Sequence, residues 1–107
     1  MILARKLENA VRKNFGTEVI ASLKNIRING SARVCSGFFV NPENKACVYV
    51  NTEACSYPPL SLLYRYADDT KDFKGYRNRY ATDFNDLVQE ISKMLKTPVE
   101  MVRDIRI

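Results

Sequence analysis

Between residues 64 and 80 the chain reads YRYADDTKDFKGYRNRY, in which five aromatics (Tyr64, Tyr66, Phe73, Tyr76, Tyr80) alternate with five cations (Arg65, Lys71, Lys74, Arg77, Arg79). Aromatic faces stack on bases and guanidinium groups pair with phosphates, so this composition suits contact with nucleic acid or with a protein that handles one. The competing use is internal: the tyrosines lie down on a sheet, and the arginines pair with Asp68, Asp69 or Asp72.

Other chemistry is thin. The chain has no histidine, which excludes Ser-His and Cys-His nucleophiles, two-histidine metal faces and a physiological-pH switch. Cys35, Cys47 and Cys55 form no CxxC knuckle, and an odd number at wide spacing would leave a disulfide framework with one thiol over. Free thiols in a reducing compartment and no metal site are expected. The adjacent Asp68 and Asp69 point apart on an extended chain and read as turn residues rather than as an acid/base pair. The four glycines, at 16, 30, 37 and 75, are too scattered to cradle a phosphate, and no cofactor is implied.

The charge is unevenly placed. Of the net +5, the whole excess sits in residues 1 to 33, where Arg5, Lys6, Arg12, Lys13, Lys24, Arg27 and Arg33 face only Glu8 and Glu18. This asymmetry favours an anionic partner near the N-terminal elements and argues against a mimic of nucleic acid. At 107 residues, with 46% hydrophobic and 27% charged residues, the chain has the size and balance of one α+β domain spanning 1 to 107. It has no apolar run of transmembrane length and no secretory-signal core in MILARKLENA, so no membrane partner and a cytoplasmic location are expected.

The elements that must position these residues follow from periodicity. Leu3, Leu7, Ala10, Val11 and Asn14 recur at helical spacing over residues 2 to 14, which leaves Arg5, Lys6, Asn9, Arg12 and Lys13 as a basic ridge on the opposite side. That ridge is either a solvated face or a phosphate-tracking surface. Residues 18 to 28 carry the β-branched Val19, Ile20, Ile26 and Ile28, but their apolar parity changes near Lys24 and Asn25, which predicts a bulge or break. Asn29-Gly30 is a turn signal, and ARVCSGFFV, the turn NPEN at 41 to 44 and ACVYVN form the best hairpin. Residues 53 to 59 are a connector, because Pro58 and Pro59 cannot donate to a ladder. Residues 60 to 67 read as a fourth strand, 68 to 70 as its exit, and 73 to 81 as a loop hinged at Gly75 that presents Lys74, Arg77 and Arg79.

Thr82 is the predicted N-cap of a helix over 82 to 96, with Phe84, Leu87, Val88, Ile91, Met94 and Leu95 on one stripe. Thr97, Pro98 and Glu100 predict a second capped helix through about Asp104. The stretch EISKMLKTPVEMVRDI resembles a helix-turn-helix over those residues alone, with Lys96 where the usual turn glycine would stand. The order of helix, strands and helix is also similar to that of double-stranded-RNA-binding domains, but Thr82 to Asn85 lacks their cation cluster, so membership does not follow.

The expected fold is α+β: an N-terminal helix, an antiparallel sheet of three to four strands, and a C-terminal helix pair. The expected function is a non-catalytic inhibitor or adaptor that engages nucleic acid or a nucleic-acid-processing complex. Its contacts would be Arg5, Lys6, Arg12, Lys13, Lys74, Tyr76, Arg77, Arg79 and Tyr80. Size, charge and lack of catalytic groups are shared with phage and mobile-element inhibitors of host defence nucleases, such as anti-CRISPR proteins. The alternatives are a subunit assembling with its own copies, a DNA-binding protein using the C-terminal helices, and an enzyme using Cys55 or a carboxylate.

Overall fold

The protein is described by a computed structural model covering residues 4–28, 32–52, 62–72 and 75–102. Helix α1 (Ala4–Asn14) is followed by strands β1 (Ile20–Ile28), β2 (Ala32–Val40), β3 (Cys47–Asn51), β4 (Leu62–Tyr66) and β5 (Arg79–Ala81), and then by helix α2 (Phe84–Met94). The strands form one antiparallel sheet in sequential order, a meander. The α+β class is as expected from sequence, but the sheet has five strands. The fifth lies within the predicted 73 to 81 loop. A three-residue edge strand is too short to show a period of two, and only its pairing with β4, Leu62 to Ala81 and Tyr64 to Arg79, defines it.

Both helices pack on one face. Leu7 and Val11 of α1 and Leu87, Val88, Ile91, Met94 and Leu95 of α2 join Cys35, Phe39, Val48, Val50, Leu62, Tyr64 and Tyr66 in the main core. The helices run in the same direction, since Lys6 meets Phe84 near their starts and Asn14 meets Ser92 near their ends. On the outer face of the sheet Phe38, Cys47, Tyr49 and Ala67 form a second, smaller cluster.

The predicted bulge in β1 is absent: its register with β2 runs unbroken from Ile20–Val40 to Ile28–Ala32. Asn25, which disturbed the apolar pattern, accepts a hydrogen bond from the Ala4 N–H at 2.8 Å and so satisfies a donor at the open end of α1. The 41 to 46 turn satisfies an acceptor at the C-terminal end of α2. Asn41 and Asn44 both donate through Nδ2 to the Leu95 carbonyl, at 2.9 and 3.1 Å, so the β2–β3 hairpin is docked on the C-terminus of the helix.

Helix α2 is capped by Asp83, not Thr82. Its side chain accepts from the Asp86 N–H at 2.8 Å, while the Asp86 carboxylate reaches back to the Thr82 N–H. Both residue types cap well, and the end of β5 decides between them. Nor does a helix pair follow. Val99–Met101 is a single 3-10 turn whose N-cap, Pro98, makes no side-chain bond, and Val102 is already extended. Thr97 instead donates its N–H to the Met94 carbonyl and tightens the end of α2. The helix-turn-helix reading is thereby corrected over the described residues; 103 to 107 lie outside them, as do the Asn29-Gly30 turn and the 53 to 59 connector.

Gly37 sits opposite Leu23 with φ 153°, and a Cβ there would come within 2.0 Å of the Ser22 carbonyl oxygen. Neither group can move without breaking the β1–β2 ladder. Gly37→Ala is expected to lower stability by on the order of 3 kcal/mol in urea unfolding. A loss below about 0.5 kcal/mol would show that this close approach does not constrain the fold.

Candidate functional site

Much of the aromatic and cationic segment that stands out in the sequence is turned inward. Arg65 is 1% exposed on the outer face of the sheet. Its guanidinium lies 4.5 Å from the ring centre of Tyr49, its cross-strand neighbour, and donates to the Tyr66 carbonyl at 2.9 Å and the Asp72 carbonyl at 2.7 Å. Phe38 extends the row, its ring 5.2 Å from that of Tyr49. Tyr64 and Tyr66 belong to the main core. Tyr76 is 7% exposed and donates its hydroxyl to Asp68 Oδ1 at 2.7 Å.

The acidic residues that separate the aromatics build a turn. Asp69 accepts from the Lys71 N–H, Asp72 accepts from the Asp68 N–H, and the Asp72 N–H donates to the Asp69 carbonyl. This matches the turn role expected of Asp68 and Asp69. Among the described residues no three His, Cys, Asp or Glu side chains are grouped to hold a metal ion.

The nine candidate contact residues fall into three sets. On α1, Arg5, Lys6 and Lys13 are exposed, whereas Arg12 is half-buried and donates to the Thr17 and Val19 carbonyls at 2.9 and 2.6 Å, with Glu8 3.7 Å away. Arg12 therefore holds the α1–β1 connection. Near β5, Arg77 and Tyr80 are exposed, Tyr80 at 54%, while Arg79 is half-buried with its guanidinium 5.6 Å from the Tyr66 ring centre. Tyr76 is buried, and Lys74 lies outside the described residues. The two exposed sets are not neighbours: α1 packs on β1 and α2, at the opposite edge of the sheet from β5.

The sequence reading passed over the space between the helices. Lys13 and Asn14 of α1 and Phe84, Asn85, Val88 and Gln89 of α2 line an open groove with Ala10 at its side. Asn14 Nδ2 donates to Ser92 Oγ at 2.9 Å, and Ser92 donates in turn to the Val88 carbonyl. The available signal is Asn14 closing the apolar stripe of α1 and the polar Ser92 at a buried position of α2, which hydrogen-bond once the helices meet.

Cys35 and Cys47 are buried free thiols. Burial pushes Cys35 up to about 11; burial, with Asp69 and Asp72 adding to it and Arg65 opposing, pushes Cys47 up to about 12. Neither is poised as a nucleophile at neutral pH. Cys55 lies outside the described residues. No described helix is long and apolar enough to cross a membrane.

Comparison with protein-family models, with curated proteins and with solved structures produced no match to the chain.

Two outcomes follow from this geometry. Tyr76→Phe should cost about 1 kcal/mol by thermal or urea unfolding, because Asp68 loses its hydroxyl donor, whereas Arg77→Ala should stay within about 0.5 kcal/mol. Equal effects would contradict the inward placement of Tyr76. The two thiols remain protonated in the fold well above their ordinary value of 9.0. Above that value the unfolded chain releases protons first, so their contribution is complete below about pH 9 and is lost as pH rises toward 11 and 12. The fall in stability with alkaline pH should be shallower in Cys47→Ala than in the unsubstituted protein.

Proposed function

We propose that the protein is a non-catalytic binding protein that engages nucleic acid, or a complex that handles it, through the exposed cations of α1. The observation that carries this reading is the state of Arg5 and Lys13: both are exposed and without an ion-pair partner among the described residues, in the third of the chain that holds the entire positive excess. Unpaired cations on a rigid helix attract phosphates at no cost in broken internal contacts. Arg77, with Tyr80 beside β5, offers a second, smaller contact surface. The lack of histidine and the raised, buried thiols of Cys35 and Cys47 favour occupation of a site over turnover. An inhibitor or adaptor acts in this way, as phage-encoded inhibitors of defence nucleases do.

Assembly with its own copies is the second reading. Ile20 and Tyr80, 53% and 54% exposed, stand on the two edge strands of the sheet. Edge strands carry unpaired backbone groups that a second chain can use. Sedimentation giving an oligomer whose size does not change on dilution would favour this reading over the first.

Labelled DNA and RNA, titrated by fluorescence anisotropy between about 50 and 200 mM salt, test the leading reading. Arg5→Gln and Lys13→Gln should each weaken binding and reduce the salt slope by about 1. Arg12→Gln should lower the melting temperature, since its guanidinium is committed to the Thr17 and Val19 carbonyls. Binding that ignores both salt and the two Gln substitutions would remove nucleic acid as the direct ligand.

A further inference from the structure

We propose that the groove between α1 and α2 is a subsite for one unpaired nucleobase and the phosphate beside it. This rests on reading the α1 cations as a nucleic-acid surface, and it adds a preference that charge alone cannot supply.

The groove lies between two parallel helices that touch at both ends. At one end the Lys6 ammonium lies 4.9 Å from the Phe84 ring centre; at the other Asn14 bonds to Ser92. Between these contacts Ala10 of α1 and Val88 of α2 line an open hollow of about 310 Å³.

Its chemistry is divided in the way a nucleotide is divided. Ala10 and Val88 supply the apolar part of the lining, and Phe84 borders it with the Lys6 ammonium over its ring. Asn85 and Gln89 are both exposed and one helical turn apart on α2, so two carboxamides, each donor and acceptor, stand on the same side of the groove. Paired donors and acceptors of this type recognise base edges, with adenine the usual match for Asn and Gln. Lys13 lines the groove, Lys6 stands at its rim, and none of the lining residues is acidic. A phosphate is therefore accommodated without repulsion. A base inside a duplex is stacked and has its pairing edge occupied, so only an unpaired base can enter.

The test uses the full chain and three fluorescent probes: an oligo-dA strand, an oligo-dT strand of equal length and the duplex formed from them. The unsubstituted protein should bind oligo-dA about tenfold more tightly than the duplex, the scale of one stacked base. Ala10→Leu fills the hollow and should abolish that difference while leaving the salt slope unchanged. The exposed pair Asn85→Ala and Gln89→Ala should remove the preference for dA over dT, and it decides the matter if Ala10→Leu fails to fold. Equal affinity for strand and duplex, unaffected by either set of variants but still dependent on salt and on Lys13, overturns the subsite and leaves the basic surface standing. Absence of binding to all three probes overturns the subsite and removes nucleic acid as the direct ligand. Displacement of oligo-dA by polyglutamate but not by unlabelled oligo-dT would assign the groove to an acidic protein partner and overturn the nucleobase proposal.

Discussion

A guanidinium withdrawn from water must have its donors satisfied and its charge compensated, and Arg65 imposes that requirement on the outer half of the molecule. Its plane lies against Tyr49 and its donors reach the Tyr66 and Asp72 carbonyls, so β3, β4 and the acidic turn after β4 are tied to one side chain. The turn can meet Arg65 only if its own backbone is ordered, which the Asp68, Asp69 and Asp72 carboxylates do by accepting local N–H groups and the Tyr76 hydroxyl. Once Tyr76 is drawn in, the chain re-enters the sheet as β5 and leaves Arg77 and Tyr80 on the surface. The buried cation thus determines which members of the segment remain available to a partner.

On the opposite face the helices are located by apolar burial and registered by asparagine. Asn25 caps the start of α1 from the sheet, Asn41 and Asn44 close the end of α2 from a hairpin turn, and Asn14 joins the helices to each other through Ser92. Burial is non-directional, so it sets how tightly the layers approach but not their rotation. Hydrogen bonds to otherwise orphaned groups at helix ends supply that direction. Ala10 lies between the Lys6–Phe84 and Asn14–Ser92 contacts and beside the groove. Arg5, Lys6 and Lys13 remain exposed because the stripe of Leu7 and Val11 is the part of α1 that faces the core.

Part of this was legible in the residue order, because some residues carry their environment with them. The helical periods around Leu7 and Leu87, the hairpin from 32 to 51, the strand read over 60 to 67 and the turn at Asp68 and Asp69 are local patterns, and the structure contains each of them, the strand as Leu62–Tyr66. Charge is equally local: the concentration of cations in the first third needs no fold to be recognised. Other features depended on partners distant in the chain. Asn25 looks like a strand defect until α1 arrives above it, and Arg12 looks like Arg5 until the Thr17 and Val19 carbonyls come within reach. The 3-10 turn at Val99–Met101 carries cap-like residues, but its neighbours are already engaged in ending α2.

The aromatic and cationic segment marks the boundary between the two kinds of information. By itself the sequence determined that tyrosines and arginines would stand near one another between 64 and 80, because adjacency in the chain guarantees it. It could not determine whether each ring would meet a base or a neighbouring guanidinium, since the same quadrupole attracts both. Strand pairing made that choice: placing Tyr49 opposite Arg65, and β5 beside β4, gave Arg65 and Arg79 internal rings at 4.5 and 5.6 Å. Which cations stay in solvent is therefore a property of tertiary register rather than of composition, because a cation–π contact needs only a few ångströms of approach and that approach is set across strands.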